Sequence, residues 1–215
     1  MIIATGSHFF WITSRAAGIV ALLLSSAAVG VGLSMGGRFV KKRRTDFRAL
    51  HEALSLATLA ALGLHAVALL GDSYFHPSIA DLTIPFVRDY REPYMALGII
   101  GGWGLLVLGL SFYMRARIGI ARWRVIHRFT ALAWILGIIH TLGEGSDAGR
   151  PWFLAMTAIA ALPPFALLIV RIVHRPPQAT SIASTSALTV LIGTPRPAAP
   201  RRRCSLAGAD GRSER

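Results

Sequence analysis

The chain has 215 residues, 53 % of them hydrophobic and only 15 % charged, with a mean hydropathy of +0.54. A soluble domain of that length needs far more polar surface, so most of the apolar residues must face lipid or one another. The formal charge of +13 does not indicate nucleic acid, because Lys and Arg fall in short clusters between apolar runs and in the tail, with no basic face interleaved with aromatics.

In chain order, a short segment 1–8 precedes five apolar stretches of near-spanning length: Phe9–Met35, Ala49–Leu70, Tyr94–Met114, Val125–Leu142 and Trp152–Val173. The first lacks a basic region ahead of Arg15 and runs at once into a basic cluster, which favours a retained anchor over a cleaved leader. The first connection, Arg38 to Arg48, holds six basic residues against one acid. The second, Asp72 to Pro93, holds four acids and two arginines. The third, Arg115 to Arg124, holds four arginines and no acid, and the fourth, Glu144 to Arg150, holds two acids and one arginine. Basic connections stay on the cytoplasmic side, so all four place the N-terminus outside and the C-terminus inside a cell membrane.

The expected architecture is therefore an all-α bundle of about five transmembrane helices over 9–174. From 175 to 215 Pro, Ser, Thr, Ala and Arg dominate, and the expectation is a disordered basic cytoplasmic tail. The apolar run Ala187–Ile192 is too short to span. Pro163 and Pro164 should kink the fifth span. The sole cysteine, Cys204, excludes an intrachain disulfide, a CxxC redox or metal motif, and covalent haem attachment through C-x-x-C-H.

Four of the seven histidines fall inside spans, where an ionisable residue is a functional hypothesis by default. His51 and His65 lie on the second span, His127 and His140 on the fourth, and an arginine stands three residues before the first of each pair (Arg48, Arg124). The two spans run the same way. At 1.5 Å per residue the pairs are separated by about 21 Å and about 19.5 Å along the helix axis. His51 can thus face His127 at one depth and His65 can face His140 at another. Imidazoles opposed at two depths suit two stacked haem b groups, each iron held on both axial sides, whereas a single bare metal ion could not reach both levels. Rotation fits less well. Fourteen steps of about 100° bring His65 within about 40° of His51, but thirteen leave His140 about 140° from His127. The fourth span must be locally overwound, kinked or approached differently by its two haems, and Gly137 lies near enough to permit some distortion.

The spacings H-x13-H and H-x12-H on alternate helices, with Trp11 to Gly18 (WITSRAAG) and Ile139 to Asp147 (IHTLGEGSD), resemble the ferric reductase-like transmembrane domain. That family includes eukaryotic ferric reductases and NADPH oxidases, and those two stretches look most like its bacterial, actinobacterial-type members. The resemblance covers Trp11 to Val173. It implies two b-type haems, His51 paired with His127 and His65 with His140, and electron flow from the cytoplasm to the outer face. No flavin motif or Gly-rich nucleotide loop follows Val173. A separate cytoplasmic flavoprotein, the only route by which flavin would enter, or a quinol would be the donor. Ferric iron or a soluble redox protein would be the outer acceptor.

Three other readings stay open: a haem subunit feeding a periplasmic methionine sulfoxide reductase, a degenerate reductase without turnover, and a haem-free scaffold or transporter whose histidines only hydrogen-bond. Arg15, just inside the outer end of the first span, can meet an outer-haem propionate or snorkel to the interface. Arg48, Arg124 and Arg128 can bind inner-haem propionates or serve as topogenic charge. Trp134 lies between the two depths, where it can couple the haems or simply pack. Glu144 and Asp147 can attract a cation, but a solvated loop is the simpler expectation. His8, His76 and His174 lack a depth-matched partner and are expected to be ordinary polar residues.

Overall fold

The computed structural model describes residues 2–36, 44–72, 75–87, 92–144 and 147–173, all within one compact unit, Met1–Arg175. The tail, His174 and the basic residues Arg38, Lys41, Lys42 and Arg43 lie outside the described residues. The described residues form helices joined by turns: α1 (Ile2–Gly36), α2 (Arg44–Leu70), α3 (Ile79–Thr83), α4 (Glu92–Leu110), α5 (Arg115–Ile118), α6 (Ile120–His127), α7 (Thr130–Glu144) and α8 (Pro151–Val173).

Among the described residues, five helical segments are long and apolar enough to cross a bilayer: His8–Gly36, Thr45–Leu70, Glu92–Leu110, Ile120–Glu144 and Pro151–Val173. The chain is thus a multi-pass membrane protein of the expected all-helical kind. The third span ends at Leu110, four residues earlier than its apolar run suggests. Phe112, Tyr113 and Met114 donate three residues back, to Gly109, Leu110 and Ser111, and this tighter winding closes the helix. α8 opens on Pro151, whose missing N–H costs nothing at a first helical position.

α1 packs along α2 and α8, and α4 packs along α7. Small residues make the contacts: Ala17, Ala21, Ala28, Ala68, Ala96 and Ala133 are buried, while Val67, Val107 and Ile159 lie exposed on the outside as lipid-facing residues should. A Cβ at Gly101 would stand 2.9 Å from the Ala133 carbonyl oxygen, so α4 and α7 meet almost backbone to backbone. Two buried hydroxyls are satisfied within their own helices, Ser25 donating to Leu22 O and Thr58 donating to Leu54 O.

The fourth span is interrupted just after His127. Arg128 and Phe129 donate to Val125 and Ile126, Ala131 donates to Arg128, and Thr130 Oγ1 takes the His127 carbonyl at 2.6 Å. Each three-residue-per-turn step winds about 120° instead of about 100°, so a stretch of about five residues recovers about 100° of the rotation that an ideal helix would miss. His140 then returns to within about 40° of His127, the same offset as the pair on α2. The distortion expected near Gly137 therefore lies about ten residues earlier. Its cause is the side chain of Thr130 competing for a backbone acceptor.

Candidate functional site

Two pairs of helices carry the four histidines, and in each pair a neighbouring helix supplies a backbone carbonyl for every ring. On α2, His51 Nδ1 lies 2.9 Å from Ala28 O and His65 Nδ1 lies 2.7 Å from Ser14 O, both on α1. On the fourth span, His127 Nδ1 lies 3.4 Å from Leu108 O and His140 Nδ1 lies 2.8 Å from Tyr94 O, both on α4. A carbonyl can only accept, so Nδ1 carries the proton in every case. In the neutral imidazole Nε2 is then left as a lone-pair donor.

Why are those carbonyls reachable, when a helix carbonyl already accepts from the residue four ahead? At Ser14, Ala28 and Tyr94 that residue is Gly18, Gly32 and Gly98. A Cβ at Gly18 would stand 3.1 Å from His65 Nδ1, one at Gly32 would stand 3.0 Å from His51 Cε1, and one at Gly98 would overlap the His140 ring. Each glycine is a notch that admits an imidazole. Leu108 has Phe112 at the corresponding position, but there the helix is ending and Phe112 N–H has turned to Gly109. The carbonyl is freed by helix termination instead, and its bond to His127 is the longest of the four.

The rings fall in two groups. His51 and His127 have ring centroids 6.1 Å apart at 88°. Two nitrogen–metal bonds of about 2 Å placed in line set ring centres about 6 Å apart, so this spacing suits a metal held between two imidazoles. His65 and His140 both line one cavity of about 750 Å³, within the range of cofactor sites. All four rings are half-buried.

Each level has its own surroundings. Trp123 stacks on His127, centroids 4.9 Å apart at 23°, and its Nε1 donates to Ser111 Oγ at 3.1 Å. Ser111 in turn donates to Leu108 O at 2.6 Å, the same carbonyl that faces His127. Phe112 meets Trp123 edge-on and carries Arg115 over its ring. Tyr113 donates to Glu52 Oε1 at 3.0 Å, and that carboxylate holds the phenol above its usual range. Arg48 and Arg124 are exposed, one turn before their histidines.

At the other level Arg15 pairs with Asp147 and lies over the Trp11 ring. Asp147 is buried, with 9 % of its surface exposed, which corrects the expectation of a solvated loop. Arg15 directly follows Ser14, the acceptor of His65, so the ion pair ties that segment of α1 to the turn after the helix bearing His140. Trp134, 1 % exposed, sits in the wall of the same cavity and donates from Nε1 to Ser26 Oγ at 3.0 Å. His8 is exposed, and His76 donates its backbone N–H to Asp72 O.

The supporting carbonyls, the three glycines, Trp123 and the Arg15–Asp147 pair were not singled out from sequence. One signal was present. Gly18 and Gly32 are fourteen residues apart, as are His51 and His65, so two antiparallel helices carry matching marks.

A family model described as ferric reductase like transmembrane component matches residues 17–138, more than half of the chain. No curated protein and no solved structure matches it.

Proposed function

We propose that this chain, which belongs to the ferric reductase-like transmembrane family, carries electrons across the bilayer through two haems, one between His51 and His127 and one between His65 and His140. The observation that carries the proposal is the set of four Nδ1-to-carbonyl bonds. They leave four Nε2 lone pairs, with which His51 and His127 would hold one haem and His65 and His140 the other. The donor set fits haem better than a bare ion. Among the described residues no group of three or more His, Cys, Asp or Glu could hold a metal, so iron between two imidazoles would take its remaining ligands from a macrocycle. Bound haem supplies a reversible one-electron iron couple. The chain itself orients the rings, excludes water and sets the surrounding charge.

Arg48 and Arg124 would border the propionates of the haem at the His51 level. Arg15, held by Asp147, would border the other. The charge of the connections favours electron entry at the Arg115–Arg124 side, in the cytoplasm, and exit near Asp147 to ferric iron or a soluble redox protein.

Sealed vesicles containing the purified chain test this. A membrane-impermeant reductant on one side should reduce an impermeant acceptor trapped on the other, and His65→Ala should abolish the transfer. Equal transfer by the wild type and by a variant with all four histidines replaced would refute it.

A further inference from the structure

The connection between the second and third spans carries the short helix α3, and its surface is the reverse of a solvated loop's. From Ile79 to Val87 every exposed residue is apolar: Ile79, Ile84, Phe86 and Val87. The two polar residues of that stretch, Asp81 and Thr83, are half-buried, and each is tied to nearby backbone. Asp81 accepts from Ser78 N–H at 2.8 Å, and Thr83 Oγ1 donates to Ile79 O at 2.7 Å. A loop in water turns its polar side chains outward.

Its depth is fixed by one bond. Trp103 Nε1 donates to Thr83 O at 3.0 Å. Trp103 stands about 16 Å along α4 from its start at Glu92, and the whole helix runs about 28 Å, close to the thickness of the hydrocarbon core. Helix side chains lean back toward the start of their helix, and that recovers only part of the depth. Thr83 therefore lies below the level at which α4 enters the bilayer. Leu82 and Thr83 also line the His65/His140 cavity, along with Gly102 of α4 and Leu59 of α2. Leu59 is again about 16 Å from its helix end, Leu70.

Non-helical backbone at membrane depth is tolerated where it lines a cavity and its polar groups find partners. This segment lines one, its Ile84 N–H reaches Ala80 O at 2.9 Å, and Asp81 N–H reaches Ser78 Oγ at 3.2 Å. Phe86 holds a φ of 65°, which a bulky side chain keeps only where its surroundings over-determine it. Its ring is exposed, so water would hold nothing in place, whereas burial of the ring in lipid opposes the strain.

We infer that residues 79–87 re-enter the leaflet nearest His65 and His140 and form a lipid-facing wall of their cavity, with Ile79, Ile84, Phe86 and Val87 against acyl chains and Trp103 as the latch. Acyl chains are the occupant because this apolar face continues the lipid-facing surface of the spans, to which Trp103 and Val107, both exposed on α4, belong. The wall keeps acyl chains out of the space that His65 and His140 share. A haem bound there escapes sideways only when Thr83 parts from Trp103.

The test places a nitroxide on the full chain in phosphatidylcholine nanodiscs, in a Cys204→Ser background, at Ile84→Cys or Phe86→Cys. Val107→Cys gives the lipid reference, and Arg117→Cys, exposed on α5, gives the water reference. Both test labels should be relaxed by oxygen and should lose relaxation by a water-soluble nickel complex, as at Val107. Relaxation by nickel at the level of Arg117, or shielding from both agents as under a covering protein, would overturn the inference. The labels report position whether or not haem is bound. A second readout rests on the two-haem reading: haem transfer from the loaded chain to apomyoglobin should run about fivefold faster in Trp103→Phe, the worth of one lost hydrogen bond. Unchanged transfer in that variant would overturn the latched wall. A chain that holds no haem would sink the two-haem reading, and the labels would still decide this one.

Discussion

Replacing Gly98 with alanine puts a single methyl group where the His140 ring lies. Ordinary carbon contacts need about 3.5–4.0 Å, so the ring must retreat by about 1 Å or the two helices must part. The helices have little freedom to part, because a Cβ at neighbouring Gly101 would already be 2.9 Å from the Ala133 carbonyl. The ring moves instead, and its 2.8 Å bond to Tyr94 O stretches past hydrogen-bonding range. Three effects compete. Alanine gains about 1 kcal/mol of helix propensity over glycine. Overpacking costs about 1–3 kcal/mol. Loss of the bond that orients a metal ligand typically lowers metal affinity by about 10- to 100-fold. The last term decides the outcome at this level and leaves the other level untouched. Haem quantification on purified protein should therefore show loss of the haem held by His140 and retention of the one held by His51 and His127. Gly32→Ala and Gly18→Ala, with clearances of 3.0 Å and 3.1 Å, should weaken their own levels less. Gly109→Ala, whose Cβ would find only Leu59 at 3.6 Å, is the control. Full haem content and unchanged midpoint potentials in Gly98→Ala would refute the notch argument.

The Arg15–Asp147 pair makes opposite predictions for its two members. Asp147→Asn leaves an uncompensated cation beside the His65/His140 level and should raise the midpoint potential there. Arg15→Gln leaves the carboxylate and should lower it, and redox titration that found shifts of the same sign would contradict the pairing. Trp123→Leu removes the stack on His127 and the bond to Ser111, and should weaken haem retention at the His51/His127 level alone, read as haem per chain for that variant. Because Glu52 holds the Tyr113 phenol above its usual range, Glu52→Gln should let that phenol ionise at lower pH, visible as earlier tyrosinate absorbance in an alkaline titration.

The spans could be read from sequence because a bilayer leaves few options. A run of apolar residues long enough to cross must be helical, since its backbone has no other partners. Depth was equally readable, because rise per residue is fixed and His51, His65, His127 and His140 carry their positions along two parallel helices. Rotation was not. The break after His127 depends on whether Thr130 Oγ1 turns to a backbone carbonyl, a choice between rotamers that composition does not record. The end of α4 failed for the same reason, since Ser111 to Met114 remains largely apolar while its hydrogen bonds change register.

The layer behind the histidines was the least legible part. Carbonyls of Ser14, Ala28, Tyr94 and Leu108 belong to the backbone and have no residue type, so only the glycines that expose three of them leave a trace. Asp147 looked like a loop residue because its sequence neighbours are polar and small. Its burial comes from a partner, Arg15, that is 132 positions away.

Haem bound per chain, measured with a reduced-minus-oxidised spectrum on the purified protein and on His65→Ala and His127→Ala, tests the account most directly. Two haems in the wild type, with one lost in each variant, is the predicted result. A wild-type chain without haem, or one whose haem content survives both substitutions, would contradict it.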